Sequence, residues 1–207
     1  AVQISRDTVI KMAEISGDAL QLATELLQDY NENKAKLVES MEQRVDRYED
    51  ALGTYLLKVS NLDLSQNDSR MLSILLHCIN DFERISDHAV NIRDSAVEMH
   101  EKDISITSGG MEEMAVYSKA VQDIVQQTIQ AFRTGDLTLA RQVEPFEEVI
   151  DGLSIEMKQR HITRLRKGRC TMEAGLMLED VITNYERVSD HCSNVAVCML
   201  QINEDGF

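Results

Sequence analysis

Residues 83–92 read ERISDHAVNI, and residues 186–195 read ERVSDHCSNV. Six of the ten positions are identical, and the two Ile/Val differences are conservative. A second pair repeats in the same order: VESMEQRVD at 38–46 and VEPFEEVID at 143–151. The offset is 105 residues there, and 103 between INDFERISDH at 79–88 and ITNYERVSDH at 182–191. A chain of 207 residues with this pattern is constrained to build one unit twice, with a small length change between the copies.

The unit is helical. Pro occurs once and Trp never, while Leu, Met, Ala, Glu, Gln and Lys recur throughout. Residues 7–31 place Val9, Met12, Ile15, Ala19, Leu22, Leu26 and Leu27 at helical spacing. Residues 33–60 predict a second helix with Leu37, Met41, Val45, Tyr48, Leu52 and Tyr55 on one face. NLDLSQNDS at 61–69 reads as a loop, with Asp68 or Asn67 as the N-cap of a third helix running to about His100. That helix turns Leu72, Leu75, Ile79, Phe82, Ile85, Ala89 and Ile92 inward. EKDISITSGG at 101–110 is the natural boundary. The scheme then restarts with helices over 111–134, 136–166 and 171–203. Asp136 is expected to cap the fifth, and Pro145 to kink it or mark its ordered start. The expectation is an all-α fold of two tandem three-helix bundles, residues 1–106 and 107–207, packed as one elongated molecule.

Charge narrows the partners. A net charge of −15 argues against nucleic acid and against broad adhesion to an anionic membrane. It favours cations or a basic protein partner, although acidic faces that keep the chain in solution account for most of it. Cys78, Cys170, Cys192 and Cys198 form no CxxC. They read as reduced thiols, which points to the cytoplasm. No signal peptide is expected, and the 207 residues hold no apolar run of membrane-spanning length. The basic run HITRLRKGR at 161–169 suits a helix C-terminus, where cations complement the dipole; it could also meet an acidic partner.

Each half carries two E-x-x-x-D pairs: Glu42/Asp46 and Glu83/Asp87 in the first, Glu147/Asp151 and Glu186/Asp190 in the second. Residues four apart share a helix face, so each pair sets two like charges side by side. All four pairs flank the apolar seams of their helices, where two helices can aim four carboxylates at one region. A hard multivalent cation offsets that repulsion. Asn91 and Asn194 continue the same ridges and offer amide oxygens, and Glu39 and Glu144 lie one turn earlier. Two bland readings stand beside this one: solvated acids on helix faces, and ordinary ion pairs with Arg84 and Arg187. His88 and His191 sit about a hundred degrees around the helix from the acidic ridge and read as packing or supporting groups.

At these residues the chain resembles the PhoU family, whose members are paired three-helix bundles with an E(D)-x-x-x-D motif on two helices of each repeat. The family's ERIGD-A-NI-like stretch corresponds to ERISDHAVNI and ERVSDHCSNV, with Ser86 and Ser189 in place of the usual Gly. GDLTLARQVEPFEEVIDGL at 135–153 is also close to the family pattern. The resemblance spans almost the whole chain. It implies a non-enzymatic regulator of phosphate uptake and phosphate-starvation signalling that contacts a phosphate transporter or a sensor kinase. It further implies iron or zinc in multinuclear clusters held by Glu42, Asp46, Glu83, Asp87, Glu147, Asp151, Glu186 and Asp190. The same domain forms the cytosolic tail of some sodium/phosphate cotransporters, so tail and free regulator both remain open. A homodimer is open as well, and any membrane contact would run through a transporter. The rivals are a diiron-carboxylate oxidase, opposed by the absence of E-x-x-H, and a metal-free adaptor bundle.

Overall fold

The computed structural model describes residues 1–204, and every element among them is helical. The order is α1 (Val2–Gln28), α2 (Glu32–Val59), α3 (Gln66–Glu101), α4 (Ser108–Thr134), α5 (Leu137–Arg141), α6 (Val143–Arg166) and α7 (Met172–Glu204). The long helices hold 24 to 36 residues, or about 36–54 Å at the usual rise.

Side-chain caps set several starts. Asn31 accepts from Lys34 N at 3.0 Å, Thr107 from Gly110 N at 3.1 Å and Asp136 from Leu139 N at 3.0 Å. The third helix starts earlier than expected: Ser65 caps it by accepting from Asp68 N at 3.1 Å. Asp68 instead lies in the first turn, where its charge complements the helix dipole. The expected fifth helix is broken at Gln142 into the short α5 and the long α6. Pro145 explains the break. Its ring nitrogen cannot bond back to the Arg141 carbonyl, but it is tolerated in the first turn of α6, where a donor is spare.

α1, α2 and α3 form one bundle; α4, α6 and α7 form the other, with α5 packed alongside. The two bundles meet chiefly along α3 against α7, and also along α1 against α4. Gly17 permits the second approach, because a Cβ there would lie 3.1 Å from Ile129 Cδ1. One apolar cluster runs through both bundles without interruption. Phe82 meets Phe132 edge-on across the junction with centroids 5.2 Å apart. Tyr185 also reaches across, its hydroxyl hydrogen-bonded to Thr24 at 2.5 Å.

The expected inward residues of α3 are all buried. The expected stripe of α2 is displaced by one residue at both ends. Leu37 and Tyr55 are 45 % and 42 % exposed, while Val38, Val45, Leu52, Leu56 and Val59 face inward. Steps of seven from Val38 stay on one side of a helix, so the apolar neighbours Leu37 and Tyr55 fall outside the seam. Among the described residues, no helix is long and apolar enough to cross a membrane.

Candidate functional site

In each half the acidic pairs of two helices share one contact, but among the described residues only the second half brings three carboxylates close enough to hold one metal ion. In the second half, Glu147 and Asp151 of α6 meet Asp190 of α7, with one oxygen from each lying within 4.8 Å of the others. Burial raises the Glu147 carboxyl to about 7, reinforced by hydrogen bonding and repulsion from Asp151 and Asp190. Glu147 and Asp190 border an open recess of about 400 Å³, together with Arg187, His191, Ser193 and Asn194. Glu186 does not join the trio. Ser154 hydrogen-bonds it, and Lys158 Nζ lies 3.0 Å from its Oε1. Glu144 stands exposed in the first turn of α6.

In the first half the carboxylates form a ladder between α2 and α3. Asp87 interacts with both Glu42 and Glu83, and its repulsion, after burial, raises both groups. Glu83 reaches about 7, with Asp46 and Glu49 adding to the repulsion. Arg84 holds Asp87 from outside at 3.0 Å. Glu39, next to Glu42, is also 3.5 Å from Arg93 Nη2.

Repeat equivalence shows where the difference originates. At the offset of 105 residues, Glu49 occupies the place of Ser154 and Gly53 that of Lys158. Glu83 therefore faces another carboxylate where its counterpart Glu186 faces a hydroxyl and an ammonium. Burial also lifts the Glu49 carboxyl, helped by Asp50 and Asp46.

Asn91 and Asn194 belong to a polar lattice on the α3–α7 junction. His88 Nδ1–H donates to Asn184 Oδ1 at 2.9 Å, and Asn91 donates to the same oxygen at 3.1 Å. The repeat-related set uses Asp81: His191 Nδ1–H donates to it at 2.9 Å and Asn194 at 3.3 Å. The two imidazoles lie 5.6 Å apart. Burial lowers the pKa of His88. His88 and His191 thus join the two repeats. Asp81 and Asn184 were missing from the residues singled out by sequence, although they align within INDFERISDH and ITNYERVSDH. Their partners lie on another helix 96 and 110 residues away, which no local spacing announces.

The basic run also resolves in part. Arg164 grips both Glu113 oxygens, at 3.1 and 3.0 Å, tying α6 to α4. His161 is buried against Gly175, and Arg166 and Arg169 remain exposed.

Comparison with known proteins agrees with this architecture. The chain is 25% identical over 191 residues to phosphate-specific transport system accessory protein PhoU homolog 1 of Thermotoga maritima, covering 92% of this chain and 82% of that protein. It is 25% identical over 184 residues to the PhoU homolog of Aquifex aeolicus, covering 88% and 82% respectively. The crystal structure of PhoU from Pseudomonas aeruginosa superposes with a TM-score of 0.90 at 20% identity, covering 98% of this chain and 97% of that one. PhoU from Streptococcus pneumoniae gives 0.88 at 15% identity, covering 99% and 95%. The PhoU domain matches twice, at residues 9–96 and 115–199, once in each bundle, and the chain belongs to the PhoU domain family.

Proposed function

We propose that this protein is a non-catalytic accessory regulator of phosphate transport and phosphate-starvation signalling. It works at the cytoplasmic face through contacts with a phosphate transporter or its sensor kinase, and its acidic sites carry iron or zinc. The names of the relatives, phosphate-specific transport system accessory proteins, support the transport role. The observation that carries the metal reading is the convergence of Glu147, Asp151 and Asp190. Three hard oxygen donors, one of them lifted to about 7 by burial and by its two neighbours, fit a multivalent cation, which offsets the repulsion among them. Such an ion would be held by that trio in the second repeat, and by Asp87 with Glu42, Glu83 and Asp46 in the first. Bound there, it supplies charge neutralisation and a fixed link between the helices that hold it. The chain itself contributes two rigid bundles whose junction presents a fixed docking surface.

The test uses immobilised, metal-loaded protein offered detergent-solubilised phosphate transporter and the soluble part of the sensor kinase. At least one is expected to bind. Deleting the gene is expected to deregulate phosphate uptake until this chain is restored. Binding to neither, with uptake unchanged by deletion, contradicts the regulatory reading. Binding indifferent to a chelator contradicts the role assigned to the metal.

A further inference from the structure

The α3–α7 junction also holds two thiols. Cys78 lies on α3 and Cys198 on α7, close enough for each thiol to shift the titration of the other. The helix register accounts for the meeting. Asn194 of α7 donates to Asp81 of α3, and because the two helices run antiparallel, Cys78 one turn before Asp81 faces Cys198 one turn after Asn194. Cys78 is fully buried, and Cys198 is half-buried at the edge of the core. The duplication does not require this pair, since the equivalent positions are Val181 and Ser95.

We propose that Cys78 and Cys198 are a reversible oxidation site, whose disulfide ties the last helix of the first repeat to the last helix of the second. The oxidant is of the hydroperoxide class. The Cys198 thiolate attacks one peroxide oxygen, the O–O bond breaks, and hydrogen peroxide leaves Cys198 as a sulfenic acid with release of one water. The Cys78 sulfur then attacks the Cys198 sulfur; an S–S bond forms, the S–O bond breaks, and a second water departs. Two thiols have lost two electrons and two protons, and one peroxide has become two waters. An external dithiol returns the pair to its resting state by exchange.

Three features assign the order of events. Cys198 is the more accessible sulfur. The adjacent Cys78 thiol, and then nearby His77, lower its pKa against the opposing effects of burial and Asp81. Cys78 is fully enclosed and shielded from an oxidant in solution, so it resolves rather than initiates. Cys192 is a contrast within the same helix: fully enclosed, pushed up to about 12 by burial, and thus inert.

The test treats the purified full chain, reduced and freed of reductant, with stoichiometric hydrogen peroxide. Intact mass and a peptide map under non-reducing conditions are then recorded. The expected product is a monomer that has lost two hydrogens, with the Cys78 and Cys198 peptides joined. Its Tm is higher than that of the reduced protein, and dithiothreitol or thioredoxin restores the original mass and Tm. Cys78→Ala should instead accumulate a dimedone-reactive Cys198. Because that variant removes a buried group, its circular dichroism spectrum is checked first, and the wild-type peptide map stands independently of it. Unreacted thiols, oxygen added without the Cys78–Cys198 link, or a crosslink through Cys170 between chains would each overturn the proposal.

Discussion

The two acidic sites descend from one repeated sequence, yet their charge balance differs. The second is compact: Glu147, Asp151 and Asp190 converge, and the fourth acid, Glu186, is neutralised by Lys158 and Ser154. The first is extended: Glu42, Asp46, Glu49, Glu83 and Asp87 line the α2–α3 contact, and Arg84 caps Asp87. Two positions on the partner helix make the difference, Glu49 for Ser154 and Gly53 for Lys158. Conserving the E-x-x-x-D pairs therefore does not conserve the site, because the facing helix decides which carboxylates are free.

The largest expected effect breaks the compact site. Glu147→Gln with Asp190→Asn should weaken its metal affinity by about 100-fold or more, since losing only a supporting residue already costs 10–100-fold. Calorimetry or competition with a chromophoric chelator measures this, and the same double change at Glu83 and Asp87 should leave the compact site intact.

The next effect concerns Lys158. Lys158→Met strips the cation from half-buried Glu186 and should cost about 1–2 kcal/mol in urea unfolding at pH 8, after allowance for solvent screening. Adding Glu186→Gln should recover most of the loss. A pair that merely decorates the surface would show neither change.

The pH dependence comes third. Glu83 and Glu147 titrate near 7 in the fold and near the ordinary 4.5 when unfolded. Between those values the folded chain holds more protons, so their contribution to stability is full below about 4.5 and is lost as pH rises through 7. Urea midpoints taken from pH 5 to 8.5 without metal should carry this downward component. Glu83→Gln and Glu147→Gln should each remove their own share of it. Saturating metal should flatten it, because bound carboxylates are already deprotonated.

The smallest effect is at Arg84. Arg84→Gln breaks a partly exposed ion pair and should change stability by no more than about 0.5 kcal/mol. It should nevertheless tighten metal binding at the extended site by releasing Asp87. Unchanged affinity there would show that Arg84 does not compete.

Much of the fold was legible because it rests on local rules. From Phe82 to Ile92 the inward residues of α3 repeat at helical spacing with Val90 the one apolar neighbour, and they are buried as expected. On α2, apolar residues stand side by side at Leu37/Val38 and Tyr55/Leu56, so periodicity alone left the seam one residue wide of its true line. SQNDS at 65–69 offers several capping side chains in a row, and only the chain's path selects Ser65. The acids were legible as residues but not as sites. Their pairing depends on Lys158, Ser154 and Glu49, whose partners lie on another helix. His88 and His191 were legible as packing or supporting groups, but not their partners, which lie across the α3–α7 junction.

One repeated motif thus yields a compact site and an extended one. Anaerobic titration of the metal-free chain with Fe(II), and separately with Zn(II), tests it most directly in three proteins: wild type, Glu83→Gln/Asp87→Asn and Glu147→Gln/Asp190→Asn. The wild type should titrate in two phases, with the tighter lost in the second-repeat variant and the weaker lost in the first-repeat variant. No binding to the wild type, or identical curves for all three proteins, would contradict it.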